Sequence, residues 1–166
     1  FWAVADAAAS RRSSMSDAER AAVAASGMAA MALAILSQTA PGDHLVVSQQ
    51  LYGKSLTLLA GEAARLGLTV ERVDTCDLAA VRAAMTDRTR LVVVETITNP
   101  ILRVSDLAAL AEIAEGRGAA LLVDNTFASP AVCRPIEFGA HLVLESLTKI
   151  MNGHSDVVLG MLCGAA

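Results

Sequence analysis

Lysine is scarce in this chain, which makes its positions informative. Of 13 basic residues only Lys54 and Lys149 are lysine. Arginine serves wherever a solvated positive charge is enough, whereas lysine offers an amine that can condense with an aldehyde. Lys149 follows the apolar run Leu142-Val143-Leu144 and stands among Ser146, Thr148, Asn152 and His154. Two other apolar runs end in equally polar segments: Leu91-Val92-Val93-Val94 before Glu95-Thr96-Ile97-Thr98-Asn99-Pro100, and Leu121-Leu122-Val123 before Asp124-Asn125-Thr126. A lone strand-end lysine ordinarily snorkels to solvent, and a strand-end aspartate ordinarily caps a turn. Three exits that together supply an amide, a carboxylate, two hydroxyls and an amine favour a site.

Other patterns that resemble chemistry fail on spacing. Gly53-Lys54-Ser55 ends like a nucleotide-binding loop, but the first glycine of that motif would fall on Ser48. Gly116-Arg117-Gly118 enters a strand instead of leaving one, and position 121 is Leu, so it is no dinucleotide fingerprint. His44, His141 and His154 lack metal-ligand spacing to one another or to a cysteine, and no metal is expected. No serine sits in a Gly-x-Ser-x-Gly elbow.

The elements that must position these residues follow from hydrophobic pattern. Leu45-Val46-Val47, Leu68-Thr69-Val70, the three runs above and Val157-Val158-Leu159 are short and rich in β-branched residues. Such continuous runs predict strands of a sheet covered on both faces. Between them, 28–36, 55–66, 78–85 and 107–115 carry helical spacing, with Asp77 and Ser105 as caps and Gly67 and Gly118 near the ends. The alternation predicts an α/β fold with a mostly parallel sheet and helices on both faces. In such sheets ligands bind beyond the carboxyl ends of the strands. Ala-rich Val4–Ala9 and Arg11-Arg12-Ser13-Ser14 read as a frayed N-terminal helix and loop, so residues 1–20 are expected to be divergent or incomplete.

Composition narrows the function class. Of 166 residues, 54% are hydrophobic and 18% charged, enough for a large core. Thirteen basic against 17 acidic residues leave a net charge of -4, which argues against nucleic-acid binding. No apolar run reaches membrane-spanning length, and the first residues do not read as a signal peptide. Cys76, Cys133 and Cys163 are odd in number and widely spaced, which fits a reducing compartment and a soluble, cytoplasmic protein. A chain that starts at Phe1 and stops at Gly164-Ala165-Ala166 is expected to be a piece of a longer polypeptide.

Six segments in order resemble the cysteine/methionine-metabolism family of pyridoxal-phosphate enzymes. That family includes cystathionine γ-synthase, cystathionine lyases, methionine γ-lyase and homoserine-ester sulfhydrylases. The segments are Ser26-Gly27-Met28-Ala29-Ala30, Pro41-Gly42-Asp43, Tyr52-Gly53, the 95–100 stretch, Val123–Pro130, and Ser146-Leu147-Thr148-Lys149 with Gly153-His154-Ser155-Asp156 behind it. The resemblance implies a fold-type-I large domain over 21–166 with a seven-stranded sheet, a separate C-terminal small domain being absent. It also implies pyridoxal 5'-phosphate as cofactor, amino-acid substrates and a homo-oligomer, a dimer of dimers.

By the same resemblance Lys149 is the Schiff-base lysine and proton carrier, and Asp124 pairs with the pyridine nitrogen. Tyr52 stacks on the ring and assists exchange of the bonded amine, and Asn99 bonds the ring's phenolic oxygen. Ser26, Gly27 and Met28 open a helix against the phosphate, Ser146 and Thr148 add hydroxyl donors to it, and Thr126 supports Asp124. Lys54 departs from the Gly, Cys or Gln usual after Tyr-Gly, which counts against methionine γ-lyase. The N-terminal Tyr-x-Arg segment and the substrate-carboxylate arginine are not found. The activity implied is elimination or replacement at the β or γ carbon of a sulfur amino acid or activated homoserine, of the cystathionine lyase or γ-synthase type. A homoserine-ester sulfhydrylase, a methionine γ-lyase and a non-catalytic remnant are the alternatives, and these residues alone are expected to be inactive.

Overall fold

A computed structural model of the chain describes residues 20–164, so the expected frayed segment at Val4–Ser14 lies outside the described residues. Seven strands form one sheet: β1 (Arg20–Ala24), β2 (His44–Ser48), β3 (Thr69–Val73), β4 (Thr89–Glu95), β5 (Ala120–Asp124), β6 (Leu142–Glu145) and β7 (Gly160–Gly164). Their order is β1-β7-β6-β5-β4-β2-β3. β6, β5, β4, β2 and β3 pair in parallel, and β7 runs antiparallel to both neighbours. Four helices connect or cover them: α1 (Gly27–Gln38), α2 (Gly53–Arg65), α3 (Leu78–Ala84) and α4 (Leu107–Glu115).

Side chains alternate across a strand, and here the alternation sorts the core into two layers. Leu45, Val47, Leu91, Val93, Leu122 and Leu144 pack with α1 and α2. Val46, Val92, Val94, Leu121, Val123 and Val143 pack with α3 and α4 on the other face. Both faces of the central strands are therefore dry, which is why those strands read as unbroken apolar runs. α1 carries no charged residue, and Ala30, Met31, Ala34 and Ile35 are buried. Small side chains let it lie close to the sheet.

Three expectations need correction. Val157-Val158-Leu159 is not a strand: it is irregular, and the strand starts one residue later at Gly160. Val158 is 63% exposed because its side chain lies at the rim of the site instead of in a core. Residues 68–70 lead into β3, an edge strand that is exposed or half-buried along its length instead of a covered one. The cap of α4 is Asp106, whose carboxylate accepts from Ala109 N–H, while Ser105 Oγ donates to the Glu95 carbonyl at 2.7 Å. Asp77 caps α3 as expected, and Gly67 and Gly118 follow their helices with φ of 76° and 66°. β1 was not expected. Its sequence Arg-Ala-Ala-Val-Ala carries a weak strand signal, and antiparallel pairing to β7 is what holds it.

β7 also sets how closely α1 approaches the sheet. A Cβ on Gly160 would come within 2.2 Å of the Ser26 carbonyl oxygen, so only glycine fits. Gly160→Ala is expected to lower unfolding free energy by about 1–3 kcal/mol, read from the denaturant midpoint. Gly61→Ala is the control: it lies in α2, its Cβ would meet nothing within 4 Å, and it should gain about 0.5–1 kcal/mol.

Candidate functional site

The carboxyl ends of β4, β5 and β6 open into a cleft of about 510 Å³ between the sheet and the starts of α1 and α2. All the residues singled out from the sequence line it: Ser26, Gly27, Met28, Tyr52, Asn99, Asp124, Thr126, Ser146, Thr148 and Lys149. Strand alternation puts Glu95 and Asp124 on the α1/α2 face, continuing the rows that hold Leu91-Val93 and Leu122. They are register partners on adjacent strands.

One end of the cleft is built for an anion. Ser26 caps α1, accepting from Ala29 N–H at 3.1 Å, while Ala30 N–H goes to the Ser26 carbonyl. The Gly27 and Met28 N–H groups belong to the first turn, where intrahelical acceptors do not reach. They point outward at the positive end of the helix dipole. Ser146 faces them across a gap that only glycine permits, since a Cβ on Gly27 would lie 2.8 Å from Ser146 Cβ. Ser146 N–H donates to Thr126 Oγ1 at 2.8 Å, and Thr126 N–H donates to Asp124 Oδ1 at 3.0 Å. Thr126 thus supports Asp124 through its main chain while its hydroxyl holds the Ser146 loop. The Thr148 hydroxyl donates to the Leu159 carbonyl at 3.2 Å and accepts from Leu159 N–H, so it braces the chain before β7.

The middle of the cleft holds charge of one sign on the sheet and an amine opposite. Asp124 has no ion pair among the described residues. Burial pushes its carboxyl above the ordinary range, against the pull of the Thr126 hydrogen bonds. Lys149 lies on the turn after β6, its N–H donating to the Ser146 carbonyl, and its side chain is exposed to the cleft. The Tyr52 ring is half exposed on the cleft wall before α2.

Reading the sequence did not assign a role to Glu95, Ser55, Phe127, Ile150 or Val158, which also line the cleft. Glu95 stood within a quoted motif, but only its contacts give it a role. It is 5% exposed, and it accepts from Tyr52 N–H at 2.7 Å and from Asn99 N–H at 3.3 Å. Burial pushes its carboxyl up to about 7, with Asp124 adding to the rise and both amides opposing it.

Behind Asp124, on the α3/α4 face, lies a third acid. Glu145 is 2% exposed and accepts from Asn125 Nδ2 at 2.8 Å, while its Oε2 has no hydrogen-bond partner among the described residues. Asn125 also donates to the Cys133 carbonyl and accepts from Thr96 Oγ1 at 2.6 Å. Burial pushes Glu145 up to about 7 as well. A carboxyl raised from 4.5 to about 7 holds a proton in the folded chain that the unfolded chain has released. Its contribution is therefore lost as pH rises from 4.5 to about 7 and is level above that. His44, held low by burial, acts in the opposite direction and cancels on comparison with a variant. Over that interval the wild type should lose stability relative to Glu145→Gln by on the order of 3 kcal/mol, since one pKa unit is about 1.36 kcal/mol. Urea unfolding of both proteins at pH 4.5 and 8 checks this.

Comparison with known proteins agrees with this geometry. The family model for Cys/Met metabolism PLP-dependent enzymes matches residues 6–166. Cystathionine gamma-synthase of Mycobacterium tuberculosis H37Rv is 48% identical over 137 residues, covering 82% of this chain and 35% of its own length. L-methionine gamma-lyase of Pseudomonas putida is 37% identical over 155 residues, covering 93% of this chain and 39% of its own. The crystal structure of metB from Corynebacterium glutamicum superposes with a TM-score of 0.88 at 42% identity, over 90% of this chain and 39% of that one. The chain thus spans well under half the length of the relatives it matches. It belongs to the Cys/Met metabolism family of PLP-dependent enzymes.

Proposed function

We propose that residues 21–166 are the cofactor-binding large domain of a trans-sulfuration enzyme. It acts on a sulfur amino acid or an activated homoserine, by elimination or replacement at the β or γ carbon. A cystathionine γ-synthase or lyase activity is favoured, and of the two the identities support γ-synthase: the 48% identical relatives are γ-synthases, while cystathionine beta-lyase, methionine γ-lyase and O-succinylhomoserine sulfhydrylase relatives stand at 37–41%. The observation that carries the reading is the convergence of a free amine, an uncompensated carboxylate and a glycine-lined helix start in one cleft.

The donor set fits pyridoxal phosphate. Gly27 and Met28 amides with the Ser146 hydroxyl would hold the phosphate. Asp124, costly to ionise while it lacks a cation, would hold the protonated ring nitrogen, and that cation would offset its burial. Tyr52 would cover the ring face, Asn99 would donate to the ring oxygen, and Thr126 would keep Asp124 oriented. Thr148 would hold the wall near the phosphate through Leu159. The cofactor, when bound, supplies the electron-withdrawing ring that accepts the electron pair left at Cα. Lys149 would hold the cofactor through its aldehyde, with loss of water, and its amine, once the substrate's amine has displaced it, would take the Cα proton and return one to the leaving side.

In this reading the whole enzyme is a homo-oligomer, a dimer of dimers, that works in the cytoplasm. Exposed Phe127, Ile150 and Val158 at the cleft rim are in keeping with further protein covering it. Among the described residues no helix is long and apolar enough to cross a membrane, and no disulfide joins Cys76, Cys133 and Cys163.

Adding pyridoxal phosphate to the chain should produce a visible absorption band, and borohydride should leave the cofactor's mass on the peptide that contains Lys149. Lys149→Ala should lose both. A folded chain that shows no band and no label at Lys149 would overturn the reading.

A further inference from the structure

Glu95 ties two walls of the cleft together. Its Oε1 accepts the Tyr52 N–H from the turn before α2, and its Oε2 accepts the Asn99 N–H from the loop after β4. Both neighbours are donors, so the group between them must offer two acceptors. An ionised carboxylate does so best: a protonated acid keeps only weaker acceptor capacity on its hydroxyl oxygen, and an amide presents a donor on that side. The loop that carries Asn99 is pinned at its base, by Ser105 Oγ to the Glu95 carbonyl and by the Ile97–Val104 bridge. It is also closed on itself, by Thr98 N–H to the Arg103 carbonyl, Leu102 N–H to the Thr98 carbonyl and Arg103 N–H to Thr98 Oγ1, and is tied to Asp74 through Arg103. Glu95 is what joins the Asn99 main chain to that of Tyr52.

We propose that Glu95 is a positioning residue whose ionised carboxylate sets the spacing between Tyr52 and Asn99, and that a ligand bringing a cation to Asp124 tightens this strut. The second half rests on the cofactor reading; the first does not.

The charges around Glu95 account for the coupling. Asp124 on β5 is its register partner and opposes its ionisation. The Lys149 amine and the Tyr52 phenol share the cleft, and the first turn of α1 brings no titratable side chain. Glu145 is on the opposite face of the sheet. Burial and Asp124 together leave Glu95 divided between its two forms near neutral pH. With a cation paired to Asp124, the carboxylate of Asp124 would oppose the ionisation of Glu95 less, and Glu95 would hold both amides more tightly.

The test uses Glu95→Gln, which reproduces the protonated form, on the chain with and without pyridoxal phosphate. Without cofactor, the Tyr52 and Asn99 backbone amide resonances should move together with one apparent pKa near 7. That transition should vanish in Glu95→Gln, which should remain folded by its retained amide dispersion. Two amides that titrate apart, or titrate unchanged in the variant, overturn the proposal. With cofactor, the transition should shift to lower pH. In absorbance titrations the variant should bind pyridoxal phosphate within about twofold of wild type at pH 6 and about tenfold more weakly at pH 8, the scale of one charged hydrogen bond. Equal affinities at both pH values overturn the coupling. Absence of any visible band in the wild type overturns the cofactor reading and with it the coupling, and leaves the strut to be decided by the amides alone.

Discussion

Register between β4, β5 and β6 decides the chemistry of this chain. Glu95 and Asp124 are partners across one pair of strands, and Asp124 and Leu144 across the next. Because the side-chain period is two, each partner falls on the same face as the other. Slipping β5 by one residue would turn Asn125 into the cleft and bury Asp124 beside Glu145. The register is in turn held by the apolar rows behind it. Leu122 must stay with α1 and α2, and Leu121 and Val123 with α4. The hydrophobic layers therefore fix the charges, through a geometric rule and no direct contact.

The consequence is an electrostatic imbalance. Three carboxyl groups end adjacent strands, each raised by burial, and Asp124 raises both of the others. The strand ends carry no compensating ion pair among the described residues. What opposes the cost is hydrogen bonding: main-chain amides on Glu95 and Asp124, and the Asn125 amide on Glu145. Such a site is poised for a ligand that is cationic where it meets the sheet and anionic where it meets the start of α1. The helix start is equally specialised, since Gly27 and Gly160 allow Ser146 and β7 to approach it to within contact distance.

Much of this was legible in residue order. Continuous β-branched runs marked four central strands because both faces of those strands are buried, and Ser26 and Asp77 marked helix starts because their side chains accept first-turn amides. The polar residues beyond the runs marked the cleft, since a parallel sheet brings strand ends together. Where the reading failed, a neighbour overrode the local pattern. Val157-Val158-Leu159 is as apolar as a strand but sits on the rim, braced by Thr148. Arg20–Ala24 has little strand character but pairs with β7. Asp106 displaced Ser105 as a cap because the serine hydroxyl is drawn to the Glu95 carbonyl.

Sequence alone determined the order of elements, the two-sided sheet and the identity of the groups gathered at its carboxyl edge, because periodicity and strand-end chemistry are local properties. Tertiary structure decided what those groups do to one another. That Glu95 reaches Tyr52, that Thr148 spends its hydroxyl on Leu159, and that Glu145 stands behind Asp124 with Asn125 all depend on distances between segments 11 to 43 residues apart. Hydrogen bonds and burial act over a few ångströms in space, and no local pattern in the chain records that separation.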